Sequence, residues 1–177
     1  MLKKINFSMD FKIFLNANYE VHSGSCISHQ KYELKDVHDK YGGFPKTITT
    51  ENTQIRQLWF DETQIDLIDI GNKLNIEVVT VSSILQPPGN IVPIHRDTFY
   101  QINKKYPNDK RKKVRANIFL QDWMEGQFIH YEMDGQWHNS THWKAGDGFI
   151  WDSQHLHLSG NAGFKNKYTL QVSGFLK

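Results

Sequence analysis

Ile84-Leu85-Gln86-Pro87-Pro88-Gly89 leads, a few residues on, into His95-Arg96-Asp97. An apolar run ends at two prolines, which cannot donate to a strand ladder, and at a glycine suited to a turn. The chain then returns extended. In a strand, positions i and i+2 face the same way, so His95 and Asp97 aim together into one cavity while Arg96 points away. A further histidine, His157, stands 60 residues after Asp97, at the head of a run able to pair alongside. Two imidazoles and one carboxylate suit one face of an octahedral Fe(II), with the remaining positions left open. His155 shares the alternate-residue relation with His157, so either can supply the third ligand, and Asp152 is placed to orient an imidazole.

Outward from this stretch the pattern is β. Ile76 to Ser82 alternates and is rich in β-branched residues, as strands prefer. Arg115 to Leu120, Phe128 to Glu132, Gly148 to Trp151 and Tyr168 to Phe175 read as further short strands. Turns fall at Glu125-Gly126, Asp134-Gly135, Ala145-Gly146-Asp147-Gly148 and Asn161-Ala162-Gly163. Met133-Asp134-Gly135-Gln136 is the strongest hairpin signal, because Asp-Gly suits a primed turn between twisted strands. Many short strands with regular punctuation predict a barrel or jelly roll.

The first 75 residues carry weaker signals. Ile5, Phe7, Met9, Phe11, Ile13 and Leu15 alternate and predict a strand over residues 5–15. Tyr19 to Pro45 breaks into loops at Gly24, Gly42, Gly43 and Pro45. Ile65, Leu67, Ile68 and Leu74 form an incomplete helical stripe within Glu62 to Leu74, closed near Gly71-Asn72. The expectation is a single domain over 1–177, in which an N-terminal α/β portion (1–75) supports a jelly-roll core (76–177).

Bulk properties narrow the class. Five Trp, seven Tyr and eleven Phe supply a core, and the net charge of +2 gives no field that would attract nucleic acid. A lone Cys26 excludes an internal disulfide framework and fits a reducing compartment. The amino-terminal Lys3-Lys4 meets Ser8, Asp10 and Lys12 rather than an apolar run, which predicts a soluble, cytoplasmic protein with no membrane span. The sequence carries no signal for an oligomeric state.

Two basic positions stand out. Arg115 heads an apolar strand, where an inward charge is costly and therefore points to function; alternatively it ends the basic run Lys110-Arg111-Lys112-Lys113. Lys165 and Lys167 lie on alternate residues, and register decides which faces inward. The segment Thr98 to Val114 is long for a loop within a compact domain and leaves directly from the candidate ligands. It reads either as a lid or as a solvated charge run. Most of Trp123, Trp137, Trp143 and Trp151 are expected in core or strand-face packing, and His130, His138 and His142 receive no role.

From Val78 to Phe175 this layout resembles the Fe(II)/2-oxoglutarate-dependent oxygenases, and among them the aspartyl/asparaginyl β-hydroxylase-like group. The resemblance implies a mainly β, double-stranded β-helix of the cupin type. It implies metal ligation by His95, Asp97 and His157, with His157 preferred over His155 because Asn161 and Lys167 follow at the family's spacing. It also implies that Lys167 pairs with the distal carboxylate of 2-oxoglutarate, and that Arg115 and Asn117 reach its other carboxylate. Two features depart from the group: Asp97 is present where its nearest members often lack a carboxylate ligand, and Lys167 replaces the usual arginine.

The activity so implied is hydroxylation of an amino-acid side chain, in a protein, a peptide or a free amino acid, with Fe(II), 2-oxoglutarate and O2. Asp97 argues against halogenation, in which the carboxylate position is left empty. Competing readings are a cupin-type metalloenzyme that does not use 2-oxoglutarate and a non-catalytic metal-binding barrel.

Overall fold

The computed structural model describes residues 2–22 and 34–177; Cys26 and Gly24 lie outside the described residues. Among the described residues, eleven strands form two antiparallel sheets flanked by short helices. The strands are β1 (Leu2–Asn6), β2 (Glu20–His22), β3 (Ile55–Phe60), β4 (Ile76–Gln86), β5 (Asn90–His95), β6 (Lys113–Phe119), β7 (Gln127–Met133), β8 (Gln136–Ser140), β9 (Asp147–Asp152), β10 (His157–Asn161) and β11 (Lys167–Leu176). The helices are α1 (Lys12–Leu15), α2 (Lys35–Lys40), α3 (Leu67–Leu74) and α4 (Tyr100–Lys105). The larger sheet runs β1-β9-β6-β11-β4-β3-β2 and the smaller β5-β10-β7-β8. This is the expected double-stranded β-helix, with β1, β2 and β3 extending its larger sheet.

The period-two rule explains how the large sheet serves two purposes. On β11, Leu170 and Val172 join Val114, Ala116 and Ile118 of β6 in the main core, together with Phe14, Ile70 and Leu74 from α1 and α3. The opposite face of β11 carries Lys167, Thr169 and Ser173, all buried, toward the smaller sheet. A second cluster between the sheets holds Phe119, Ile129, Tyr131, Trp143, Phe149 and Trp151. Burial of such a side chain stabilises by about 1.5–3 kcal/mol, so the aromatic wall helps hold the sheets together as well as shaping the interior.

Two N-terminal expectations are revised. Residues 5–15 are not one strand: β1 ends at Asn6 and α1 occupies Lys12–Leu15. The apolar residues in this segment also satisfy a helical spacing, and Phe14 and Leu15 N–H groups both donate to the Phe11 carbonyl. The helix predicted from Glu62 starts at Leu67, where the Asp66 side chain accepts from the Ile68 and Asp69 N–H groups. It ends at Asn75 in the left-handed conformation, φ 57°, while Gly71 sits inside it. Gly71 is there for space, since a Cβ would lie 2.5 Å from the Ile76 carbonyl oxygen.

The Asp134-Gly135 hairpin joins β7 to β8 as expected, with φ 54° and 76°, the two positive values of a primed turn. The segment after Asp97 is partly helical rather than a bare loop. Phe99 and Ile102 are buried with Phe175, and Tyr106 and Val79 pack against them. Trp137 lies on the outer face of β8, partly exposed, with its ring 6.3 Å from that of Tyr41. No helix among the described residues is long and apolar enough to cross a membrane.

Candidate metal centre

The larger and smaller sheets meet the chain's chemistry at the end of β5. His95 is its last residue, and Asp97 follows just beyond the strand, so the carboxylate is aimed by the turn into α4 as well as by strand alternation. β10 pairs with β5 so that His157 stands opposite His95. One potential ligand atom each from His95, Asp97 and His157 lies within 4.8 Å of the others, with Asp97 and His157 buried and His95 half-buried. The two imidazole rings are 4.1 Å apart between centroids.

Backbone carbonyls fix which nitrogen each ring presents. His95 Nδ1 is 2.8 Å from the Pro93 oxygen, and His157 Nδ1 is 3.1 Å from the His155 oxygen. A carbonyl can only accept, so each Nδ1 carries the proton and each Nε2 keeps its lone pair free. Burial, reinforced by His157, pushes the His95 imidazole below its ordinary range, and burial does the same to His157. For Asp97 burial acts upward, but the Arg115 guanidinium and then the two imidazoles outweigh it and hold the carboxyl below its ordinary value. Neutral imidazoles beside an ionised carboxylate are the protonation states that a divalent metal requires. The donor set therefore fits Fe(II).

Asp97 is itself held from two sides. Arg115 on β6 donates to Oδ1, and the indole N–H of Trp151 on β9 donates to Oδ2 at 2.7 Å. Trp151 also packs on His157, ring centroids 4.3 Å apart. His155 does not enter the cluster; its Nδ1 is 2.9 Å from Asp152 Oδ1, so Asp152 meets His155 rather than His157.

Deeper between the sheets lies Lys167. Its ammonium donates to the Phe128 carbonyl at 2.9 Å and to Gln86 Oε1 at 3.4 Å. Gln86 Oε1 also accepts from Ser159 Oγ at 2.9 Å, and Ser159 shares the inward face of β10 with His157. Lys165, the alternative, is exposed. Burial alone pulls Lys167 down to about 7, and among the described residues no carboxylate pairs with it. Its Nζ is 5.7 Å from the Trp143 ring centroid, and the buried indole nitrogen of Trp143 has no partner. Asn117 Oδ1 on β6 is likewise buried and unpartnered. Buried polar groups rarely stay unsatisfied, which sets the Trp143 N–H and Asn117 Oδ1 apart from the rest of the interior.

No protein-family model matches the sequence, and no curated protein sequence does. Among solved structures, a prolyl-4-hydroxylase from Pseudomonas putida is similar over 99% of this chain and 92% of its own, with TM-score 0.58 and 18% identity. The non-heme α-ketoglutarate-dependent epimerase SnoN from nogalamycin biosynthesis is similar over 97% of this chain and 76% of its own, with TM-score 0.54 and 10% identity. The corresponding carbocyclase SnoK gives 95%, 83%, 0.51 and 13%. The fold is one that 2-oxoglutarate oxygenases use.

Of the residues singled out in the sequence, His95, Asp97 and His157 converge, while Lys167 and Asn117 are buried on β11 and β6. Arg115 also points inward but meets Asp97 and, through Nε, Ser173 Oγ at 2.9 Å. Trp151 and Trp143 went unnoticed as polar participants. The available signal was that an indole N–H buried in a core needs an acceptor.

Proposed function

We propose that this protein is an Fe(II)/2-oxoglutarate-dependent oxygenase that hydroxylates an amino-acid side chain, in a protein, a peptide or a free amino acid. The observation that carries the reading is Lys167: a buried cation without a counter-charge, joined through Gln86 and Ser159 to the strand that bears His157. A lone metal-binding barrel gives no reason to keep such a charge, whose burial is costly. A dicarboxylate spanning from the metal to Lys167 supplies one.

In this reading His95, Asp97 and His157 hold the iron, Lys167 and the Trp143 N–H take the distal carboxylate of 2-oxoglutarate, and Asn117 lies along its path. When bound, iron and cosubstrate supply oxidative decarboxylation to succinate and CO2, with one oxygen atom of O2 passing to a substrate C–H bond. The chain's own task is placement and exclusion. Lysine acts as a point charge rather than a fork, so orientation of the cosubstrate falls to the hydrogen-bonding groups around it. Phe119, Ile129, Phe149 and Trp151 form an apolar wall beside the metal ligands, which limits water. The amino-acid substrate class agrees with the aspartyl/asparaginyl hydroxylase-like layout of the sequence and with the prolyl-4-hydroxylase neighbour.

The test is iron-loaded protein incubated with 2-oxoglutarate in air, alone and with a panel of amino acids and peptides. Succinate should form, faster with a substrate that gains one oxygen atom by mass, and His157→Ala should abolish it. Folded, iron-loaded protein that forms no succinate under any of these conditions would remove the oxygenase reading.

A further inference from the structure

The Asp97 carboxylate has a donor on each oxygen, and the two donors come from different strands. Arg115 approaches Oδ1 from β6 and Trp151 approaches Oδ2 from β9. Those strands are paired, with Arg115 directly opposite Trp151 in register, so the two donors cannot drift apart independently. Arg115 is fixed in turn. Its Nε donates to Ser173 Oγ on β11 at 2.9 Å, and its guanidinium lies 5.6 Å from the Phe99 ring centroid. Phe99 is buried with φ 52°, a left-handed conformation that is costly for a non-glycine residue. The local structure tolerates that strain two residues after Asp97, beside the guanidinium.

A carboxylate can bind a metal through one oxygen or chelate through both. Chelation requires its plane to turn until both oxygens face the ion. Donors pinned to both oxygens oppose that rotation. The choice matters because bidentate 2-oxoglutarate and O2 together need three open positions, and a chelating Asp97 would leave two of six.

Resting on the metal centre proposed above, we propose that Arg115 is a positioning residue that, with Trp151, restricts Asp97 to one-oxygen coordination and so keeps three metal positions open. This assigns Arg115 to the metal's carboxylate ligand instead of the cosubstrate. Ser173 and Phe99 hold the guanidinium in place.

The test uses Mn(II) alone as probe and counts its bound waters by water-proton relaxation, without 2-oxoglutarate or turnover. Wild-type protein should hold Mn(II) with about three waters, the complement of three protein ligands. Arg115→Met should lower the count to about two, and Arg115→Lys should restore it in part. Ser173→Ala, which keeps the charge but loosens it, should fall between and carries the test if Arg115→Met does not fold. An unchanged count in folded Arg115→Met, or a wild-type count of two, would overturn the inference while leaving the metal centre standing. No Mn(II) binding by the wild type would instead remove the metal centre itself, and the inference with it. A purely structural role for Arg115 would lower the melting temperature without moving the water count.

Discussion

The ammonium of Lys167 lies 2.9 Å from the backbone carbonyl oxygen of Phe128, and no carboxylate of the described residues offsets its charge. That relationship ties the proposed cosubstrate to the barrel more firmly than the three metal ligands do. Metal sites occur in many barrels, whereas a lysine buried without a counter-charge either gives up its proton or takes an anion as its partner.

Replacement of Lys167 by Met should therefore have opposite effects on the empty and the loaded protein. Without 2-oxoglutarate, the variant should melt at a higher temperature, because a costly buried charge has gone. Its affinity for 2-oxoglutarate should fall by about 2–5 kcal/mol, as when one partner of a buried charge pair is truncated. Thermal denaturation and calorimetric titration check the two halves. A variant that melts lower and binds as tightly would contradict this placement.

The same lysine predicts a pH dependence. Its folded value, near 7, lies below the ordinary 10.5, so between these values the unfolded chain binds more protons than the folded one. Stability of the ligand-free protein should thus rise with pH across that window, and the contribution should be flat below it. An anion bound at Lys167 favours the ammonium form. Affinity for 2-oxoglutarate should then weaken as pH climbs above about 7, with proton uptake on binding. Calorimetry in buffers of different ionisation enthalpy measures that uptake, which should vanish in Lys167→Met.

Trp151→Phe removes the 2.7 Å hydrogen bond to Asp97 while retaining most of the aromatic bulk. Loss of a group that orients a metal ligand typically costs 10–100-fold in affinity. Titration with Fe(II) under anaerobic conditions should show a weakening of roughly that size. No change would mean that Arg115 alone suffices to orient the carboxylate.

Gly71→Ala separates propensity from packing. Within a helix alanine is favoured over glycine by about 1 kcal/mol, yet the new Cβ would meet the Ile76 carbonyl oxygen at 2.5 Å and the Val78 side chain at 3.2 Å. The backbone there belongs to β4, which is paired with β11 along this stretch and has little room to give. Chemical denaturation should report a less stable protein with metal affinity unchanged, and a stabilised variant would contradict the packing account.

The parts of this molecule legible in its sequence are those governed by short-range rules. Strand alternation placed His95 beside Asp97, and the Asp134-Gly135 turn followed from the positive φ values that primed hairpins need. β11 was readable as a strand, but alternation alone left Lys165 and Lys167 on equal terms until burial separated them. At the N-terminus two periods competed. Alternation from Ile5 to Leu15 looked strand-like, while Phe11, Phe14 and Leu15 also fit a helical turn, and tertiary packing of Phe14 chose the latter. β3, which extends the large sheet, carries Gln57 and Trp59 beside Leu58 and Phe60 and gave no clear alternation. The grip of Arg115 and Trp151 on Asp97 was out of reach, because it depends on the β6–β9 register and on the turn after β5. Neither is a local property of the chain.

Iron at His95, Asp97 and His157 should share its cavity with 2-oxoglutarate held by Lys167. Anaerobic titration of Fe(II)-loaded protein with 2-oxoglutarate tests it most directly, through the weak visible charge-transfer band of the chelated complex. The wild type should give a saturable band, His157→Ala should lose it, and Lys167→Met should require much more cosubstrate. A folded, iron-loaded wild type that develops no band would contradict it.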